Sequence, residues 1–483
     1  MTPTTTGNRF PMLIAIVCTA LMAAIGTLVW YDVGAETAAG FALVVAAITL
    51  SAISPAAGLA AVMMALPTMQ HIHPMPRGEF SLIELAILTS TIGIGLNLLL
   101  VSVRSGWKHL LDILTPAQVV VPVVMLVAAT ALSIFTLADP GHRSESLREV
   151  RTVILEPIAF LAVARLVLRR PLYRSWVSVV LMATGAVVAG YGVAQIVLDF
   201  GGVQAGDITR ATALYSHPNN LAIFLERSLL FTLGVGIMRP RWLPVWLLAA
   251  VQMIGLLATF SRGALVGVMV GVAVVLVFVG AWRWLLGLVA AGAVVGLIGL
   301  LLFPDRLLDA GGDGTEPTRF AIWRSSIEMI KAHPVFGVGP DQFLYQYTRR
   351  FVEPMGWPER YTSHPHNIIL DTWLRLGVLG LATLLTLVSG LVWWIQQRTS
   401  SIKSDAWAMG AVAALFGGFV HSMVDNGFFL ADLATMSWFF IVLLITVPRA
   451  GTVLPAESPA RATAPVQTDD PMTTWPTWQG SGR

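Results

Sequence analysis

The stretch SHPHNIILDTWLRLGVLG, Ser363 to Gly380, passes without interruption from a polar tip bearing His364, His366 and Asn367 into a long apolar run. Such a run is of the length that crosses a bilayer. The rest of the chain agrees: 56% hydrophobic residues, 12% charged residues and a mean hydropathy of +0.74 exclude a soluble globular protein of 483 residues. The net charge of +3 is small and scattered, which argues against nucleic acid as a partner. A single cysteine, Cys18, excludes an intramolecular disulfide and a cysteine metal cluster.

Working outward from the tip, apolar stretches of membrane length fall roughly at 11–30, 37–53, 55–70, 82–102, 117–137, 150–168, 175–198, 213–237, 241–259, 263–280 and 283–303. Three more follow at roughly 366–395, 406–425 and 428–447. The segment Pro11 to Trp30 reads as a retained first span, since no cleavage site and soluble domain follow it. The second and third candidates are short enough to form one re-entrant hairpin. The expected fold is therefore an all-α polytopic membrane protein of about 12–14 transmembrane helices with one large external loop.

Orientation follows from lysine and arginine in the short turns. With the N-terminus inside, the inner turns receive Arg104 and Lys108, then Arg169, Arg170 and Arg174, then Arg239, Arg241, Arg283, Arg398 and Lys403. The chain then divides into a cytoplasmic tail at 1–10, a membrane region at 11–303, a large periplasmic or extracellular loop at 304–365, further spans at 366–448 and a disordered cytoplasmic tail at 449–483. The histidine tip faces outward with the loop.

Two arginines go against this pattern. Arg210 ends an outer turn, and Arg262 lies in TFSRGALVG, a turn of almost no length between two spans. A charge near hydrocarbon depth costs about 2.5 to 3.5 kcal/mol on the lenient scale, so a partner is expected. Lipid headgroups or Asp207 would serve as one; so would an anionic ligand, because a guanidinium fork matches phosphate oxygens. The H-x-H of His364 and His366 lacks the further ligand and spacing a zinc site wants, and SHPHN also reads as a helix cap in which Asn367 serves free amides. A neutral imidazole with a pKa near ~6.5 can alternatively take a proton from a hydroxyl.

HNIILDTWLRLGVLG fits H-[NSQ]-x9-G-x-x-G through His366, Asn367, Gly377 and Gly380. With RATALYSHPNNLA (Arg210 to Ala222), TFSRGALVG (Thr259 to Gly267) and RFAIWRSSIEMIKAHPVFGVGPDQF (Arg319 to Phe343) it resembles the O-antigen ligase and Wzy-type O-antigen polymerase superfamily, over roughly residues 205 to 385. The pattern departs at Leu381, where ligases often carry Thr or Ser. The resemblance implies the membrane fold of the C-type glycosyltransferases. It also implies an inverting, metal-independent transferase without a cofactor, placed in the bacterial cytoplasmic membrane with its active site outside. Its implied donor is a glycan on undecaprenyl diphosphate, and its acceptor a hydroxyl of glycan, lipid or protein. Carried over by motif, Arg210 and Arg262 would bind the diphosphate and His366 would activate the acceptor, with Asn367, His364, Arg319, Arg324, His217 and Asn219 contacting substrate.

Within the outer loop, Phe320, Trp323, Ile327 and Ile330 fall on one face of an expected helix, and Arg324, Glu328 and Lys331 on the other, with Arg324 and Glu328 four apart. An interfacial helix or lid fits that pattern. A polysaccharide or lipid transporter is the competing class; against it, no repeat relates the two halves and the unusual polar residues gather at the outer end of the spans.

Overall fold

A chain with this much apolar sequence has no water inside the bilayer to bind its amides, so helices that satisfy their own backbone are the form it takes. The computed structural model describes residues 35–75, 78–105, 116–205, 208–302, 315–425 and 427–447. The expected tail at 1–10, the first span with Cys18, Lys108, Asp207, the loop segment 304–314 and the tail at 449–483 lie outside the described residues.

The elements run α1 Ala35–Ile53, α2 Pro55–Ala65, β1 Ile72–Met75, β2 Gly78–Ser81, α3 Leu82–Ser105, α4 Ala117–Phe135 and α5 Arg143–Glu149. A π turn at Val150–Leu155 leads into α6 Glu156–Val167, followed by α7 Pro171–Val197, β3 Val203–Ala205, β4 Ile208–Arg210, α8 Pro218–Met238, α9 Leu243–Leu257, α10 Arg262–Val279 and α11 Trp282–Leu302. Between α11 and the next long helix lie α12 Thr315–Ala332 and α13 Phe343–Gln346; then come α14 Ile368–Gln397, α15 Thr399–Lys403, α16 Ala406–His421 and α17 Ala431–Ile445. Each strand pair is a two-stranded antiparallel hairpin. Among the described residues six helices, α3, α4, α7, α8, α10 and α14, are long and apolar enough to cross a membrane, and six shorter apolar helices join them. The protein is an all-α polytopic membrane protein. Chain reversal at Ser54 lays Gly58 against Ser51, where a Cβ on Gly58 would stand 2.7 Å from the Ser51 hydroxyl.

Helix α8 is the centre, packed by α7, α9, α10 and α16. Small residues let the backbones approach closely, since a Cβ on Gly234 of α8 would come within 2.7 Å of the Gly410 Cα in α16. Two expected spans are shorter than their apolar runs suggest: α16 stops at His421 and α17 starts at Ala431. Asp425 therefore lies in a turn, and His366 precedes the first residue of α14.

Helix α12 packs through a face other than the expected apolar one. Ala321, Ile322, Ser325, Ser326, Met329 and Ile330 are buried, whereas Phe320 and Ile327 are exposed. The reason is the partner surface: Val338, Phe343, Tyr347 and Leu374 form a small core with Ile322, Met329 and Ile330. Arg324 pairs with Glu353 at 2.8 Å and Glu328 pairs with Lys331, so the expected Arg324 to Glu328 contact is replaced.

Helix α14 is broken at Gly377, whose φ of 68° and ψ of −165° suit glycine alone. In a regular helix the Val378 amide would donate to the Leu374 carbonyl. Here Val378 donates to Val335 at 2.9 Å, and Leu374 accepts from Val338 at 2.6 Å and Gly339 at 3.2 Å. The loop 335–339 thus fills the break, and a second glycine, Gly337 with φ 71°, passes against the Trp373 and Leu374 carbonyls. A Cβ on Gly377 would meet the Phe336 Cα at 2.6 Å. Gly377→Ala is expected to lower stability by about 1–3 kcal/mol or more through backbone strain and overpacking. The midpoint of thermal unfolding in detergent measures it; an unchanged midpoint would remove the glycine requirement.

Candidate active site

His366 occupies the left-handed region, φ 53°, which a non-glycine residue holds only when its surroundings over-determine it. Those surroundings are on both sides. The Trp323 indole donates to the Pro365 carbonyl at 2.9 Å, and the Ile368 amide donates to Ser422 at 2.8 Å. Asn367 caps α14, its side-chain oxygen accepting from Ile369 and Leu370 while its NH2 donates to the Met423 carbonyl at 3.0 Å. The Asn367 side chain thereby takes the capping role that the sequence offered.

The imidazole thus held lies between two carboxylates. His366 Nδ1 is 3.1 Å from Asp425 Oδ1, and Nε2 is 3.4 Å from Glu359 and 3.3 Å from the Thr362 hydroxyl. Burial alone would lower the His366 pKa, but the hydrogen bonds and charges of Asp425 and Glu359 outweigh it and raise the group to about 9. The neutral imidazole expected from an ordinary pKa is therefore a minority form at neutral pH. The bond to His366 pulls Glu359 down; burial opposes the same change in Asp425, yet the two histidines hold it well below the carboxylate range. His364 sits 4.3 Å from His366 between ring centroids, 3.7 Å from Asp425 through Nε2 and 3.1 Å from the Ser363 hydroxyl through Nδ1. Burial and the neighbouring imidazolium lower its pKa, so the two histidines carry different charge. His364, His366 and Asp425 offer ligand atoms within 4.8 Å of one another, a set also open to a metal ion.

The structure brings the two separate arginine motifs to one turn. Arg210 donates to the Thr259 carbonyl at 2.8 Å and to Asn219 at 2.9 Å, while Ala211 bonds Ala258. Arg262 starts α10 three residues beyond Thr259, behind the cap that Ser261 makes to Ala264. His217 caps α8 and lies within the electrostatic reach of Arg210, Asp425, His366 and Glu359. Arg319 of α12 approaches Asp425 at 4.0 Å. Arg324 stands apart, on the exposed side with Glu353.

Sequence reading missed Asp425, Glu359 and Arg375. Arg375 is buried in α14, pairs with Asp371 at 2.7 Å and with Glu149, and stacks on Phe429 at 4.9 Å. It also reaches the Ser363 carbonyl at 3.4 Å, so it touches both arms of the site, the 363–367 tip and the 425–429 turn. An arginine two turns inside an apolar run, with Asp371 one turn before it, was the available signal.

Comparison with known proteins bears on this arrangement. Residues 243–385 match the family model described as O-Antigen ligase. An O-antigen ligase of Salmonella typhimurium strain LT2 is 27% identical over 219 residues, covering 41% of this chain and 52% of that protein. The chain thus spans about half the length of the curated relative it matches.

The raised His366 pKa has a stability consequence. A histidine at about 9 when folded and near ~6.5 unfolded contributes stability that is complete below the unfolded value and lost as pH rises through the folded one. The thermal midpoint is expected to fall between pH 7 and 10, and Asp425→Asn to shrink that pH-dependent fall by lowering the folded pKa. An undiminished fall in Asp425→Asn would show that another group titrates.

Proposed function

Since this chain belongs to the O-antigen ligase superfamily, we propose that it transfers a glycan from an undecaprenyl diphosphate carrier to an acceptor hydroxyl at the outer face of the cytoplasmic membrane. The observation that carries the reading is that His366, held by Asp425, and Arg210, fastened to the turn that precedes Arg262, both lie within the electrostatic reach of His217.

In this reading Arg210 and Arg262 receive the donor diphosphate. The acceptor oxygen attacks the anomeric carbon, the bond from that carbon to the diphosphate breaks, and the electron pair leaves with the phosphate oxygen. Fixed guanidinium groups stabilise the growing charge. Direct displacement inverts the anomeric centre. His366 Nε2 takes the hydroxyl proton, displacing its long contacts to Glu359 and Thr362. Asp425 on Nδ1 orients the ring and stabilises the imidazolium that results. The reaction so written requires no metal ion.

An apolar slot supports a lipid-linked donor. It is bounded by Ile368, Leu376, Ile395, Phe419 and Trp438, and so follows α14 from beside the site towards its opposite end. A polyprenyl chain is the kind of substrate such a slot buries.

His366→Ala is expected to lower the transfer rate about 10²- to 10⁴-fold with donor binding nearly unchanged. The measurement is a reconstituted assay on liposomes with labelled lipid-linked glycan; carrier movement without a new glycosidic bond would instead indicate transport. The wild-type rate should climb with pH to a plateau near the His366 value of about 9, and Asp425→Asn should move that inflection to lower pH. A rate that declines above pH 8 would remove His366 as the base. Arg262→Lys should weaken diphosphate binding although the charge is kept, because each charge-assisted bond lost costs about 1.5 to 3 kcal/mol; near wild-type affinity would reassign Arg262 to headgroup contact.

A further inference from the structure

Resting on the glycan-transfer reading, we propose that Trp357 and Tyr361 form a sugar-binding platform at the mouth of the site, taking a pyranose unit of the glycan that flanks the reacting hydroxyl or anomeric carbon. The two residues are 55% and 69% exposed, high for large aromatic residues on a turn that is otherwise tied down. The turn is tied because Arg360 donates to the Trp357 carbonyl at 3.2 Å and its own carbonyl accepts from the Thr348 hydroxyl at 2.7 Å.

Position gives the patch its occupant. Glu359 and Thr362, the residues on either side of Arg360 and Tyr361, both reach His366 Nε2, at 3.4 and 3.3 Å. A molecule whose hydroxyl lies at Nε2 therefore has its neighbouring atoms beside this turn. Chemistry agrees with a sugar. The Arg360 guanidinium lies 4.9 Å from the Trp357 ring centre and 4.6 Å from that of Tyr361, so one cation braces both rings and offers donors to hydroxyls at their edge. The negative face of an aromatic ring attracts the weakly positive C–H face of a pyranose. Glu353 and Glu359 share the loop with Arg349, Arg350 and Arg360, so groups that can accept from and donate to sugar hydroxyls stand beside the two rings in the chain.

Direct binding to the purified full chain in detergent, followed by saturation-transfer NMR, tests this apart from catalysis. The probes are a carrier-free oligosaccharide released from the cell's own surface polysaccharide, the delipidated acceptor glycan, and farnesyl diphosphate, which carries the diphosphate without sugar. Trp357→Ala and Tyr361→Ala are each expected to weaken binding of one of the two glycans about tenfold. Trp357→Phe and Tyr361→Phe should restore it, and farnesyl diphosphate should bind all variants equally. The glycan that responds identifies whether the platform serves donor or acceptor. Glycan affinity unchanged in both alanine variants, no glycan binding to the unaltered chain, or an equal loss for farnesyl diphosphate would each overturn the platform. Failure of the transferase reading shows separately, as absence of transfer by the unaltered chain.

Discussion

The bond that a regular helix would make between Val378 and Leu374 is absent, and the rest of the outer architecture depends on how its two ends are satisfied. Inside a membrane protein an unpaired amide or carbonyl costs several kcal/mol. The loop at 335–339 supplies both partners, donating to Leu374 and accepting from Val378. The Ser133 hydroxyl completes the break from α4, donating to the Arg375 carbonyl at 2.6 Å. Two glycines at positive φ make the crossing possible, because any Cβ at either would strike backbone. The segment carrying α12 and α13 is thereby joined to a membrane helix at a fixed point, and the histidine tip lies between that point and α12.

Charge placement follows the same economy of partners. Buried ion pairs contribute little net stability, but removing one member leaves an uncompensated charge, so each pair constrains the elements it links. Arg174 of α7 meets Asp405 at 2.5 Å ahead of α16. Glu226 of α8 meets His421 at the end of α16. Arg375 joins α5, α14 and the turn before α17 through Glu149, Asp371 and Phe429. The second and third of these frame the turn that presents Asp425. A strained His366 and a fully buried Asp425 can hold one geometry because the elements carrying them are fixed by such pairs.

The placement of His366 between two acids also alters its chemistry. A histidine at ordinary pKa is half neutral near pH 6.5, whereas one raised to about 9 is a stronger base that is seldom free. Oriented by Asp425, it trades population of the neutral form for driving force in proton transfer.

Apolar runs, the left-out charges and the motif glycines were legible in the chain itself, because hydrophobic length and the conformational needs of glycine are local properties. They determined an all-α membrane protein and set Arg210 and Arg262 apart, while the family resemblance singled out His366, Gly377 and Gly380. Local pattern could not tell which face of α12 is buried, since Val338, Tyr347 and Leu374, which cover it, come from beyond the helix. Nor could it tell that the Asn367 NH2 reaches the Met423 carbonyl, or that Asp425 faces His366 from 59 residues away. Arg375 and Glu149 are 226 residues apart. Only the tertiary structure decided these, because a side chain's partner, and with it a histidine's charge, depends on which distant segments the packed helices bring to the same end of the bundle.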